Sequence, residues 1–253
     1  MLSAIDHLIL ACSDPDAAAA ELEAALGLRA TGGGRHEAHG TFNRLIWLGD
    51  SYVELMGVSD EGLARASWWG SHILEQLERR PAGYAGMALA SDDLTSDIAH
   101  LRAIGSAISD PTDGQRVRSD GDVVRWRISR PAAPDPELGL VFLIEHDQSA
   151  AEWRPADRAA RADEAQALGT PARLLRMQLQ VSDIRLTTTR LLRSLGLQFR
   201  PSLAGRGARD ASVGTQTLRL ASPAGESPMI TIRAGSEPRE AELLACRWSL
   251  VPT

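Results

Sequence analysis

Lysine is missing from this chain: the 27 Lys and Arg positions are all arginine. A Schiff-base lysine, a pyridoxal phosphate anchor and a phosphate-loop lysine are thereby excluded, because each needs a primary amine. Cysteine is scarce. Cys12 and Cys246 lie far apart and neither sits in a CxxC pair, so they read as buried thiols and not as a bridge. No apolar run approaches the roughly 20 residues of a membrane helix. The opening MLSAIDHLIL has neither the basic leader nor the small-residue cleavage site of a secretory signal, so a cytoplasmic protein without a membrane partner is expected. A net charge of -6 argues against nucleic acid and favours a small-molecule ligand.

What is present is ordinary globular material: 253 residues, 43% hydrophobic and 24% charged, enough for one large domain or two smaller ones. One pattern occurs three times. IDHLILACSD, YAGMALASDD and LRMQLQVSD each alternate as a half-buried strand does and lead to Asp14, Asp93 and Asp183. Each acid suits a helix N-cap, and a glycine 12 or 13 residues later (Gly27, Gly105, Gly196) suits the left-handed stop. Strand-like runs follow at 42–48 and 52–58, at 123–129 and 140–144, and at 215–221 and 229–234.

The predicted fold is therefore α+β, with three tandem βαβββ modules, the first two paired into a curved-sheet cup over residues 1–148. Module one spans 1–58, a connecting helix 61–80 and module two 83–146. An Ala/Arg/Glu-rich helical connector at 149–171 leads to a third module and a C-terminal strand at 172–253. The odd count leaves one sheet needing cover, either from its counterpart in a homodimer or from the C-terminal segment 243–251.

Asp6-His7, Gly33, Gly34, His36, His39-Gly40-Thr41, Asn43 and the run Tyr52-Val53-Glu54-Leu55-Met56-Gly57 carry a family likeness. They resemble the first module of the glyoxalase-like branch of the vicinal oxygen chelate superfamily, which includes glyoxalases, extradiol dioxygenases, epimerases and antibiotic-resistance proteins. The likeness covers residues 4–58 closely, 83–146 less closely and the third segment only as a fold pattern. It implies a divalent metal at the cup floor, taking one ligand from the first and one from the last strand of each module. Carried over, the ligands are His7 and Glu54 from module one and Glu145 from module two, whereas the remaining position falls on Gly86, which has no side chain. One imidazole and two carboxylates suit Zn, Mn, Fe or Ni, and no organic cofactor is implied. The third copy has Arg176 and Arg233 at about these positions, so no metal is expected there.

Each candidate also has a plain structural reading. His7 can be a hydrogen-bonded core residue, and Glu54 in its apolar run is either paired, protonated, metal-bound or turned to solvent. Glu145 carries the same ambiguity. The glycine-rich segment 32–41 reads as a cup-rim loop whose His39 and Thr41, with Asn43 beyond, hydrogen-bond a ligand, or else as a surface loop. His36 or His39 would complete the ligand set or serve as a general base, and His36 and Trp47 join the substrate-binding candidates. Arg125 and Arg127 share one strand face and grip a carboxylate or phosphate if that face lines the cup; otherwise they are solvated. Trp68-Trp69 reads as a packing anchor. The expected function is a metal-assisted lyase, isomerase or dioxygenase acting on a small carbonyl or diol substrate, with Glu145 and His39 as catalytic candidates. The alternative is a metal-free binding or sequestering protein.

Overall fold

Three acids start three helices in the computed structural model, which describes residues 2–118, 120–164, 168–203, 207–222 and 227–253. Asp14 accepts from Asp16 and Ala17 N–H, Asp93 from Ser96 and Asp183 from Leu186, each satisfying donors that the first helical turn leaves free. Gly27 and Gly196 end two of these helices in the left-handed region, at φ 72° and 68°.

The first unit runs β1 (Ala4–Cys12), α1 (Pro15–Leu26), β2 (Gly32–His36), β3 (Thr41–Leu48) and β4 (Ser51–Val58). Two helices follow, α2 (Glu61–Ala66) and α3 (Trp68–Arg79). One helix was expected over 61–80, but it breaks at Ser67, whose side chain caps Gly70 N–H and starts the second piece. The second unit is β5 (Ala82–Ala90), α4 (Leu94–Ala103), β6 (Thr112–Arg118), β7 (Val123–Ser129) and β8 (Leu140–His146). These eight strands close into a barrel in the order β1-β4-β3-β2-β6-β7-β8-β5. In each unit the first and last strands run parallel, and the antiparallel pairs β1–β5 and β2–β6 join the units. The predicted cup is thus a barrel, which leaves its eight strands no open edge.

Beyond β8 comes α5 (Pro155–Glu164). The segment before it is not a bare connector, because Ala150, Ala151, Glu152 and Trp153 are buried. Trp153 stacks on His146 with ring centroids 3.8 Å apart, and the Arg161 guanidinium sits 3.8 Å over Trp47. Residues 165–167 of the predicted connector lie outside the described residues.

The third unit comprises β9 (Arg173–Gln180), α6 (Ile184–Leu195), β10 (Arg200–Pro201), β11 (Arg209–Val213) and β12 (Gln216–Ala221). Then come β13 (Met229–Arg233), β14 (Arg239–Leu243) and β15 (Cys246–Val251), forming one sheet in the order β10-β11-β12-β9-β13-β15-β14. Residues 229–234 were read as the last strand of the third copy, but that place belongs to β12, which runs parallel to β9 as β4 does to β1. β13 is antiparallel to β9 and parallel to β15, repeating the pairings of β5 with β1 and β8. It therefore opens a fourth unit that has no helix. Of the two covers considered for the third sheet, the chain supplies its own C-terminal strands.

Outward side chains of the barrel (Leu8, Leu10, Val53, Met87) and inward ones of the second sheet (Met177, Leu218, Ile230, Trp248) belong to one continuous buried cluster. Among the described residues no helix is long and apolar enough to cross a membrane.

Candidate functional site

Strand alternation sends His7 and Ile9 of β1, Tyr52, Glu54 and Met56 of β4, and Phe142, Ile144 and His146 of β8 into the barrel. β1 departs from that alternation once. Its register against β5 passes from Ile5–Leu89 to His7–Ala88, leaving Asp6 as the extra residue of a β-bulge. The bulge lets two consecutive side chains meet inside, where Asp6 Oδ1 lies 2.7 Å from His7 Nδ1 and 3.1 Å from His146 Nε2. All three side chains are at most 6% exposed, which sets their chemistry. Burial alone would raise the Asp6 carboxyl, but His146 and then His7 hold it well below the usual carboxylate range.

On the other side of His7, Nε2 faces Glu54 Oε2 at 3.5 Å. Glu54 Oε1 accepts from Asn43 Nδ2 at 2.5 Å, and Asn43 Oδ1 accepts from Gly34 N–H at 2.8 Å, so the backbone fixes which end of the amide faces the carboxylate. A polar chain from His146 through Asp6, His7, Glu54 and Asn43 therefore crosses a space otherwise walled by Ile9, Leu45, Met56, Val124, Phe142 and Ile144. The Tyr52 ring stacks on His7 with centroids 4.5 Å apart. The cavity volume is about 40 Å³, room for a few waters or one small polar group.

His36 also lines this cavity, its Nδ1 3.0 Å from Thr41 Oγ1, which accepts from Trp69 Nε1 at 3.3 Å. Burial, then Arg116 and His39, keep the His36 imidazole neutral well below its ordinary titration range. Thr41 thus orients His36 and Trp69. Asn43 acts on Glu54.

Other predicted residues stand elsewhere. Glu145 points out of the barrel because β8 alternates and its neighbours Ile144 and His146 point in. Its Oε2 accepts from Arg127 Nε at 2.8 Å and from Arg127 Nη2, and its Oε1 accepts from Leu94 N–H at 3.3 Å at the start of α4. Glu145 therefore does not meet His7 and Glu54 inside the barrel, where the expected metal set required it. Its neighbour His146 takes the inward place. Arg125 and Arg127 line an outer groove of about 700 Å³ together with Arg35, His39, Glu145 and Asp147. His39, half-buried there, leans on Trp69 with centroids 3.9 Å apart and so stands outside the inner cavity. Trp47 packs behind Tyr52 at 4.8 Å and does not line the cavity. Trp126 and His146 line both spaces.

His7 and Glu54 are the implied metal donors that converge. Gly86 contributes none, and a Cβ there would lie 2.2 Å from Leu140 O. Among the described residues no group of three or more His, Cys, Asp or Glu is placed to hold a metal ion. The donor set does not fit the ion that the resemblance implied. Residues the sequence reading passed over are Asp6 as an interior group, His146, Arg116, Tyr52 and Glu152. A signal existed for two of them: Asp6 sits in the DH pair, and His146 directly follows Glu145.

A family model described as a glyoxalase-like domain matches residues 5–201. No curated protein matches significantly. Among solved structures, a hypothetical protein from Staphylococcus aureus is similar over 100% of both chains at 15% identity, with a TM-score of 0.79, which speaks for the fold alone. Methylmalonyl-CoA epimerase from Streptomyces coelicolor matches over 57% of this chain and 98% of its own, at 24% identity and a TM-score of 0.44. The Mycobacterium tuberculosis epimerase matches over 57% and 88%, at 22% identity and a TM-score of 0.44.

Proposed function

This chain belongs to the glyoxalase-like domain family of the vicinal oxygen chelate superfamily, and from that premise we propose that its barrel moves a proton on a small carbonyl compound, as a lyase or isomerase. The observation that carries this reading is the gap between His7 Nε2 and Glu54 Oε2, 3.5 Å wide and each side held from behind. With Asp6 ionised, His7 Nδ1–H donates to it, so Nε2 and Glu54 are two acceptors facing each other unless one proton sits between them. A pair holding one proton can take a second from an acidic C–H and return it. In the step, the C–H electrons form the enolate double bond, the carbonyl oxygen takes the charge, and the proton goes to Glu54 Oε2. Return of that proton to the same carbon completes an epimerisation; in a 2-hydroxy ketone, its return to the former carbonyl carbon, with the hydroxyl proton passing to the former carbonyl oxygen so that the hydroxyl-bearing carbon becomes the new carbonyl, completes an isomerisation.

The test is solvent deuterium incorporation into a panel of small ketones and 2-hydroxy ketones, followed by NMR. Glu54→Gln keeps the shape and the contact with Asn43 but removes the base, and the exchange rate is expected to fall by at least about 10²-fold. Equal exchange in parent and variant would sink the proposal. One observation favours the second reading, metal-free binding without turnover: the roomier space is the outer groove, of about 700 Å³. Saturable ligand binding with no exchange above background would select it.

A further inference from the structure

Arg116 reaches the cavity from β6 and is 4% exposed. Its Nη2 donates to Glu152 Oε2 at 2.6 Å, a pair whose two side chains are both buried. Its Nη1 is buried with no hydrogen-bond partner among the described residues. The neighbouring wall residues Asn43 and Glu54 have partners, and among the described residues His146 Nδ1 is another fully buried atom of the wall without one. A guanidinium stays charged at any working pH, and a buried donor left unmatched is costly.

Charge decides what Nη1 is built to meet. Glu54 and Glu152 in the wall, with Asp6 behind His7 and His146, supply three carboxylates against the Arg116 guanidinium and the one proton of the His7–Glu54 pair, so a ligand carboxylate enters against a local excess of negative charge. An uncharged carbonyl oxygen meets no such opposition. As its neighbouring C–H loses a proton, the oxygen gains the charge that Arg116 best stabilises, between largely apolar walls that strengthen the attraction.

We propose that Arg116 is the electrophilic residue of this site: Nη1 donates to the carbonyl oxygen of an uncharged substrate and holds the enolate that forms there. The inference rests on the proton-transfer reading above and names its substrate class, neutral carbonyl compounds and not carboxylates. It supplies positive charge at a site whose donor set does not gather a metal. Glu152 positions Arg116 by holding Nη2, which leaves Nη1 for the ligand.

The experiment titrates ¹⁵N-labelled protein with acetamide and with acetate, following the indole N–H resonances of Trp69 and Trp126, which line the cavity. Acetamide is expected to shift them saturably, and acetate at least about tenfold more weakly. Removing both partners as Arg116→Met with Glu152→Met leaves no lone buried charge and should weaken acetamide by at least about tenfold. Should that pair fail to fold, Glu152→Gln decides alone: it removes one negative charge, so acetate is expected to gain at least about tenfold relative to acetamide. Acetate binding as tightly as acetamide, no shift with either, or an unchanged preference in Glu152→Gln each overturns the proposal. Glu54→Gln is expected to keep acetamide binding while losing exchange, so a failed base and a failed electrophile give different results.

Discussion

Glu145 and His146 are adjacent in the chain and lie on opposite sides of a barrel wall. One carboxylate braces Arg127 outside and the other side chain bonds Asp6 inside, a difference made by the two-residue period of the strand. Asp6 and His7 break the same rule through a single bulge and share the interior. Gly114 shows how closely such placements are packed: a Cβ added there would fall 2.2 Å from Trp126 Nε1. Gly114→Ala must therefore displace the indole that lines both the groove and the cavity. The expected result is a shifted tryptophan emission maximum and a loss of about 1–3 kcal/mol in urea unfolding. A variant with parental emission and stability would show that Trp126 is not held there.

At the scale of elements, the three Asp-capped helices are the most legible part of the fold, since each cap and its donors lie within three residues of one another. The loop between β7 and β8 was legible only as proline-rich. In the structure its Glu137 accepts from Ser182 N–H and Oγ at 2.6 Å, from Thr187 Oγ1 and from Arg190, tying the barrel to α6. Burial alone would raise this carboxyl, but Ser182, then Thr187 and Arg190, bring it down to about 2. A depressed folded value means the stabilisation is complete above the unfolded value of about 4.3 and is lost as pH falls from there toward 2. Urea midpoints measured over that window should decline less steeply in Glu137→Gln than in the parent, and the variant should be less stable at pH 7. Parallel declines would mean that Glu137 titrates alike in both states.

At the scale of the whole molecule, the barrel and the second sheet share a buried apolar cluster and a polar relay. Gln216 Oε1 accepts from Ile5 N–H at 2.6 Å, Gln216 Nε2 donates to Ser51 Oγ at 2.7 Å, and Ser51 Oγ donates to Ile5 O at 2.7 Å. One calorimetric unfolding transition is expected; two resolved transitions would show that the sheets are energetically separate. Gln216→Leu strands the Ile5 N–H of β1 and should cost about 1–3 kcal/mol, lowering that single transition without splitting it.

The sequence by itself determined the repeated strand-helix openings, their caps and stops and the family likeness, and it offered His7 and Glu54 together with Glu145 as candidates. Those signals are local, carried by alternation over some ten residues and by caps within one helical turn. The tertiary structure alone decided that the cup closes, that the chain's own end covers the third unit, and that Asp6, His146 and Arg116 join His7 and Glu54 while Glu145, Arg125 and Arg127 do not. Register, a one-residue bulge and the meeting of strands distant in sequence set which side chains share a cavity, and none of these is written in a local pattern.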